Sequence, residues 1–262
     1  MNQASPQNLM RRLFLPFAAG YFLSYLYRTV NAVLGPVIAG ELALPDNALG
    51  LLTSTYFFAF GAAQLPLGML LDRFGPRRVE AVLLVAAAAG AALFASADGL
   101  GGLTLGRALI GLGVSACLMA SFKAFTQWFP PERQASLTGW IMASGGMGAL
   151  AASKPLELAL GFTGWREIVL ALAALTLAVA ALIWRSVPDR PAEGGGSGFA
   201  EQLAGVREIF ASRHFWRYAP MGFFFTGGFM AVQGLWASRW MNVTEGLAAG
   251  AVADRLTWMS LA

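Results

Sequence analysis

An all-α, polytopic membrane protein is the fold class that the sequence predicts, and three observations carry the prediction. Of 262 residues, 57% are apolar and only 12% are charged, outside the usage of water-soluble domains. Long stretches hold no charge at all: Ala48 to Leu71, Ala81 to Ala97, Ala135 to Ser153, Ile168 to Trp184 and Tyr218 to Ser238. Each is about as long as a helix needs to cross ~30 Å of hydrocarbon at ~1.5 Å per residue. Third, the arginines gather around these stretches rather than within them. A soluble domain of this size lacks the interior to bury five such segments on every face. Membrane strands need only ~9–11 strictly alternating residues, a pattern absent here, which excludes an outer-membrane barrel.

Seven spans follow in order, at 13–39, 47–71, 79–97, 103–128, 135–158, 166–184 and 216–240. The first is preceded by Arg11 and Arg12, and its apolar run continues through Pro16 and past Arg28 to Gly40, so it is expected to be a retained span rather than a signal peptide. The connections carry turn residues, such as Leu44-Pro45-Asp46-Asn47, Arg73-Phe74-Gly75-Pro76 and Pro130-Pro131-Glu132-Arg133. Connections this short make successive spans antiparallel neighbours. The exception is 185–215, where Glu193-Gly194-Gly195-Gly196-Ser197-Gly198 solvates readily. Within it, Phe199, Leu203, Val206, Ile209 and Phe210 fit either a short amphipathic surface helix or an ordinary polar linker. The expected organisation is a six-helix bundle over 1–184, a cytoplasmic linker over 185–215, and the start of a second bundle over 216–262. Residues 251–262 read as the opening turns of an eighth span, ~12 residues where ~20 are needed. The expectation is therefore a fragment, a truncated product, or a segment lying along the interface.

Eleven arginines fall on the side shared with the N-terminus: Arg11, Arg12, Arg73, Arg77, Arg78, Arg133, Arg185, Arg190, Arg207, Arg213 and Arg217. Only Arg166, Arg239 and Arg255 fall near the other side, which predicts a cytoplasmic N-terminus in a multi-pass protein of a cell membrane, of the bacterial inner-membrane type. The net charge of +4 has the same explanation and does not point to nucleic acid. Cys117 is the only cysteine and His214 the only histidine, so neither a disulfide nor a metal site is expected. No nucleophile-and-base constellation lies in a span and no phosphate-cradling loop is present, so neither enzyme activity nor a cofactor is expected.

The connection between spans 2 and 3 reads Gly68-Met69-Leu70-Leu71-Asp72-Arg73-Phe74-Gly75-Pro76-Arg77-Arg78. Gly68 would allow close helix approach and Gly75 a backbone conformation that other residues resist. Asp72 at a membrane edge needs an arginine or a helix N-terminus as partner. In residues, span number and membrane side, this segment resembles the signature loop of the major facilitator superfamily, with Pro76 standing where the family usually has a basic residue. Gly106-Arg107-Ala108-Leu109-Ile110-Gly111-Leu112-Gly113 is similar to the family's fourth-helix pattern, and Gly161-Phe162-Thr163-Gly164-Trp165-Arg166 to its short outer turn. Span 5 carries no glycine-proline pattern of the drug/proton antiporter kind, and span 2 holds no arginine of the nitrate/nitrite kind. The resemblance implies a six-helix N-terminal bundle of that superfamily with an incomplete second bundle. It also implies a gating role for Gly68, Asp72, Arg73, Gly75, Arg77 and Arg78, and alternating access around a midplane site. The competing reading of the arginines is a plain cytoplasmic anchor.

Four basic residues remain inside spans: Arg28, Arg107, Lys123 and Lys154. Ionisable groups there should face water, because hydrocarbon makes each cost ~2.5–3.5 kcal/mol. Arg28 is the leading substrate-contact candidate, with Tyr21, Ser24, Tyr25 and Asn31 on nearby faces; its planar fork suits carboxylate or phosphate. The alternative is that Arg28 pairs with helix-end carbonyls or with an acid elsewhere. Arg107 either supports the site or couples protons, as the resemblance implies, or snorkels to the outer interface. Lys123 and Lys154 would add positive potential at the ends of the path. Spans 3 and 6 are almost featureless, and Glu157, three residues from Lys154, is read as the only carboxylate within the predicted interior of spans 1 to 6. Its expected role is an intrahelical pair, with proton coupling as the alternative. Gln233, Thr226 and the Gly227-Gly228 pair are candidates to line the cavity from the second bundle.

The expected partners are a lipid bilayer, a small organic anion or zwitterion of amino-acid, peptide or carboxylate type, and a coupling proton or ion. The competing class is a non-transporting membrane protein that keeps the fold as scaffold or sensor, or a split half that needs a second chain to complete it.

Overall fold

The computed structural model describes residues 6–45, 47–188, 199–232, 236–247 and 249–261, and every element among them is helical. Span 1 is α1 (Pro6–Thr29) followed by α2 (Asn31–Glu41), span 2 is α3 (Ala48–Phe74), and span 3 is α4 (Pro76–Ala95). Span 4 is α5 (Leu100–Val114) with α6 (Cys117–Trp128); span 5 is α7 (Pro131–Ala151) with α8 (Lys154–Leu160); span 6 is α9 (Trp165–Ser186). A linker helix α10 (Phe199–Ala211) precedes α11 (Arg213–Ala231), α12 (Ala237–Glu245) and α13 (Ala249–Leu261). The segment at 199–211 is thus helical rather than an irregular linker.

Local chemistry explains where these helices start and bend. Pro76 and Pro131 occupy the first helical positions of α4 and α7, where a missing N–H costs nothing. Between α7 and α8 the chain breaks at Ser153 (φ −103°, ψ −109°) because Pro155 cannot donate to the Ala151 carbonyl and disfavours helical backbone just before itself. At Val30 the distortion is slight: its N–H still reaches Leu26 and its carbonyl still accepts from Leu34.

Among the described residues, four stretches are long and apolar enough to cross a membrane by length and composition alone: α3, α4, the continuous run Leu100–Trp128, and α9. Their outward faces expose large apolar residues such as Val82, Val85, Leu105, Leu175 and Leu177, which suits contact with lipid and not with water. Inside, α4 packs on α5 and α9, α1 on α7, α9 and α6, and α3 on α5. Small residues set these distances. A Cβ added at Gly111 would lie 2.3 Å from the Tyr56 carbonyl oxygen of α3, and one at Gly148 would lie 2.2 Å from that of Phe22 on α1. Beyond the bundle, α12 and α13 pack together through Met241, Val252 and Leu256, and α13 rests on α7 and α8.

Candidate functional site: a cavity beside Arg28 and the buried Arg107

Arg28 stands on the wall of a cavity of about 660 Å³, a size suited to a small metabolite. Span 2 contributes Thr53, Ser54, Phe57 and Phe60; α11 contributes Gly222, Phe223, Thr226, Gly227 and Ala231. Of the candidates on this segment, Thr226 and Gly227 line the cavity, whereas Gln233 lies outside the described residues. The Arg28 guanidinium sits over the ring of Tyr25 at 4.6 Å and that of Phe60 at 5.1 Å. Such contacts favour the cation by roughly 0.5–2 kcal/mol and hold its plane without neutralising it. Tyr25 itself is braced edge-on by Tyr21, at 5.1 Å between ring centres.

Asn31, one helical turn beyond Arg28, is buried and donates from its amide to Thr53 Oγ1 at 3.3 Å. It thereby orients a hydroxyl of the cavity wall, and its other side faces a small enclosed space. That space, about 10 Å³ or roughly one water, is lined by Tyr27, Asn31, Phe94 and Arg107 among others. Arg107 is 1% exposed, so it does not snorkel outward. Its Nη1–H donates to the Tyr27 carbonyl at 3.0 Å, and its guanidinium lies 4.6 Å over the Tyr56 ring. The Tyr56 hydroxyl reaches the Ser24 carbonyl of α1 at 3.5 Å, on the helix that carries Arg28. The Nε and second terminal nitrogen of Arg107 have no hydrogen-bond partner among the described residues.

The charges at the ends of the bundle are arranged differently. Asp72 at the end of α3 pairs with Lys123 of α6, so the expected partner of Asp72 is a lysine and not an arginine. Lys154 is held by Glu157 at 2.7 Å and by Asp254 of α13 at 3.5 Å. Neither lysine therefore adds unpaired positive potential to the path, a correction that follows from these pairings. Gly75 adopts φ 79°, ψ 160°, a conformation that L residues resist, and so sets the sharp turn into α4. Gly68 has open space around its Cβ position, so any close approach it allows lies outside this bundle. Arg73 lies over the Phe74 ring at 5.3 Å, Arg77 over the Trp184 ring at 5.3 Å, and Arg78 is exposed. At the opposite end, Arg166 pairs with Glu41 and with Asp98 at 3.4 Å, while the buried Trp165 donates to Glu41 Oε2 at 2.7 Å. The Arg166 hydrogen bond, with that of Trp165, holds the Glu41 carboxyl below its usual range.

Sequence reasoning missed Thr53 and Ser54 on the cavity wall, and it missed Glu80. Span 3 is not featureless, and Glu157 is not the only carboxylate within the spans: Glu80 on α4 is completely buried. A lone acid two residues after Arg78 reads as part of a charged loop, and only the start of α4 at Pro76 places it inside the bundle.

Comparison with known proteins gives a consistent pattern. A family model described as Major Facilitator Superfamily matches residues 17–261. The probable sulfoacetate transporter SauU of Cupriavidus necator is 27% identical over 173 residues, 65% of this chain and 40% of that protein. The galacturonate transporter of Dickeya chrysanthemi is 27% identical over 165 residues, 63% of this chain and 48% of that protein. The chain thus aligns with less than half the length of these relatives. Among solved structures, an inward-facing, unoccupied bacterial homologue of the human lysosomal transporter Spinster superposes with a TM-score of 0.74 at 20% identity, over 98% of this chain and 60% of that one. A D-xylose-proton symporter gives 0.69 at 15% identity, over 97% and 66%. At these identities the two superpositions speak for the fold.

Proposed function

We propose, since this chain belongs to the Major Facilitator Superfamily, that it works as a secondary transporter, or as the first part of one, for a small organic anion of carboxylate or sulfonate type. The observation that carries this reading is Arg28: a guanidinium on the wall of a 660 Å³ cavity, held by aromatic faces that position it. Transport of sulfoacetate and galacturonate by the named relatives supports an anion over the amino-acid or peptide alternatives. Thr53, oriented by Asn31, would supply a hydroxyl for the solute's polar end; Arg107 would add a second positive charge behind Tyr56. Tyr25 contributes by fixing Arg28.

In this reading residues 1–184 form the first bundle, 185–215 the linker and 216–262 the opening of a second bundle, with the cavity between them. The bundle facing the cavity is completed by further helices of the protein or by a second chain. Arginine placement orients the N-terminus to the cytoplasm, in a bacterial inner membrane. Asp72, Arg73, Gly75, Arg77 and Arg78, with Gly68 presenting an open face, form the gate at that side, and Lys123 anchors it through Asp72.

A thermal-shift screen of the purified chain tests this reading, since a solute that binds only the folded form raises its apparent stability. D-galacturonate or sulfoacetate should raise the midpoint, while the uncharged D-xylose should not. A shift with xylose and none with the acids would refute it.

A further inference from the structure

Glu80 takes no part in the anion site, and its surroundings are unlike those of every other acid described above. Its side chain has no exposure, and neither carboxyl oxygen receives a hydrogen bond of regular geometry among the described residues. Three helices close on it. From α1 comes Gly20, where an added Cβ would stand 2.3 Å from Glu80 Oε1 and 3.8 Å from the buried Ile183 of α9; from α6 comes the buried thiol of Cys117. Cys117 is the titratable group that faces the carboxyl, α1 and α9 presenting glycine and isoleucine. Arg77, three residues earlier on α4, lies over Trp184 of α9.

An ionised carboxylate without a cation in such a place costs several kcal/mol, whereas the neutral acid needs only one acceptor for its O–H. A leucine or methionine would fill the same space without that penalty. We propose that Glu80 is a proton-exchange site of the bundle, taking up a proton when α1, α4, α6 and α9 close around it and releasing it when that interface admits water.

The site is connected to the cavity. Gly20, against which Glu80 packs, lies eight residues before Arg28 on α1, about 12 Å along the helix axis. Loss of the Glu80 proton adds a negative charge on the Arg28 side and weakens its hold on an anion; proton and anion therefore bind cooperatively, and the effect is reciprocal. This coupling rests on the anion reading, while the exchange site itself does not.

Infrared spectroscopy of the purified full chain in lipid separates the two. At neutral pH the wild type and Glu157→Gln should show a protonated-carboxyl C=O band that Glu80→Gln lacks and that fades in the wild type as the pH is raised. Cys117→Ala should move that band without removing it, which keeps the test intact if Glu80→Gln does not fold. A band that survives Glu80→Gln, ignores Cys117→Ala, or persists at every pH at which the protein stays folded overturns the proposal. For the coupling, wild-type affinity for D-galacturonate should fall as pH rises through the Glu80 titration, by no more than about tenfold per pH unit, and become flat in Glu80→Gln. A parallel fall in both variants overturns the coupling; no binding by either overturns the anion reading and leaves the infrared result to decide Glu80.

Discussion

Replacing Gly111 with alanine tests the packing that holds the two arginines in place. The new methyl would lie 2.3 Å from the Tyr56 carbonyl oxygen, 3.1 Å from its carbonyl carbon and 3.2 Å from its Cα, all backbone atoms that no rotamer change can move. Ordinary contact begins near ~3.4 Å, so α3 and α5 must separate by about 1 Å, and overpacking of this kind costs roughly 1–3 kcal/mol. Helix propensity works the other way by up to ~1 kcal/mol. Gly139→Ala is the internal control, because nothing lies within 4 Å of its Cβ position and only the favourable part remains. Thermal unfolding in one detergent should give a lower midpoint for Gly111→Ala than for wild type, and an equal or higher one for Gly139→Ala. Since Tyr56 carries Arg107 at 4.6 Å, the Gly111 variant should also lose anion affinity. Equal midpoints for the two alanine variants would refute the close approach of α3 and α5.

Arg107→Met removes a buried cation that uses one hydrogen bond to the Tyr27 carbonyl, so the midpoint should hold or rise while anion affinity falls; a collapse in stability with unchanged affinity would mark Arg107 as structural. Asp72 and Lys123 are 50% and 28% exposed, so a double-mutant cycle of Asp72→Asn and Lys123→Met should give a coupling no larger than ~1 kcal/mol that salt weakens. Glu41 has its carboxyl held below the usual range by Arg166 and Trp165, so its stabilisation is present above the ordinary carboxylate value and lost as pH falls through the lower folded value. The midpoint difference between wild type and Glu41→Gln should therefore be present at neutral pH and close on acidification; a difference independent of pH would contradict the pairing.

The spans were legible because a membrane leaves the backbone no partner but itself, so each crossing must be an apolar helix of sufficient length. The break at Ser153 had a written cause in Pro155, whereas the slight distortion at Val30 had none. Arg28 announced itself as a lone cation in an apolar run. Thr53 and Ser54 did not, because small hydroxyls are at home in apolar helices, where they bond to their own backbone, as Ser54 does to the Gly50 carbonyl. The partner of Lys123 could not be read at all: Asp72 is 51 positions away, and only the packing of α3 beside α6 joins them. Glu80 was hidden by its neighbours Arg77 and Arg78, since burial is decided by where α4 begins and by Gly20, on a different helix.

The proposed hold of the Arg28 guanidinium on the anion is measured directly by equilibrium binding of radiolabelled D-galacturonate to wild type, Arg28→Lys and Arg28→Ala. A charge-assisted pair is worth roughly 1.5–3 kcal/mol, so Arg28→Ala should bind at least ~10-fold more weakly, with Arg28→Lys in between. Affinity in Arg28→Ala equal to that of the wild type would contradict the account.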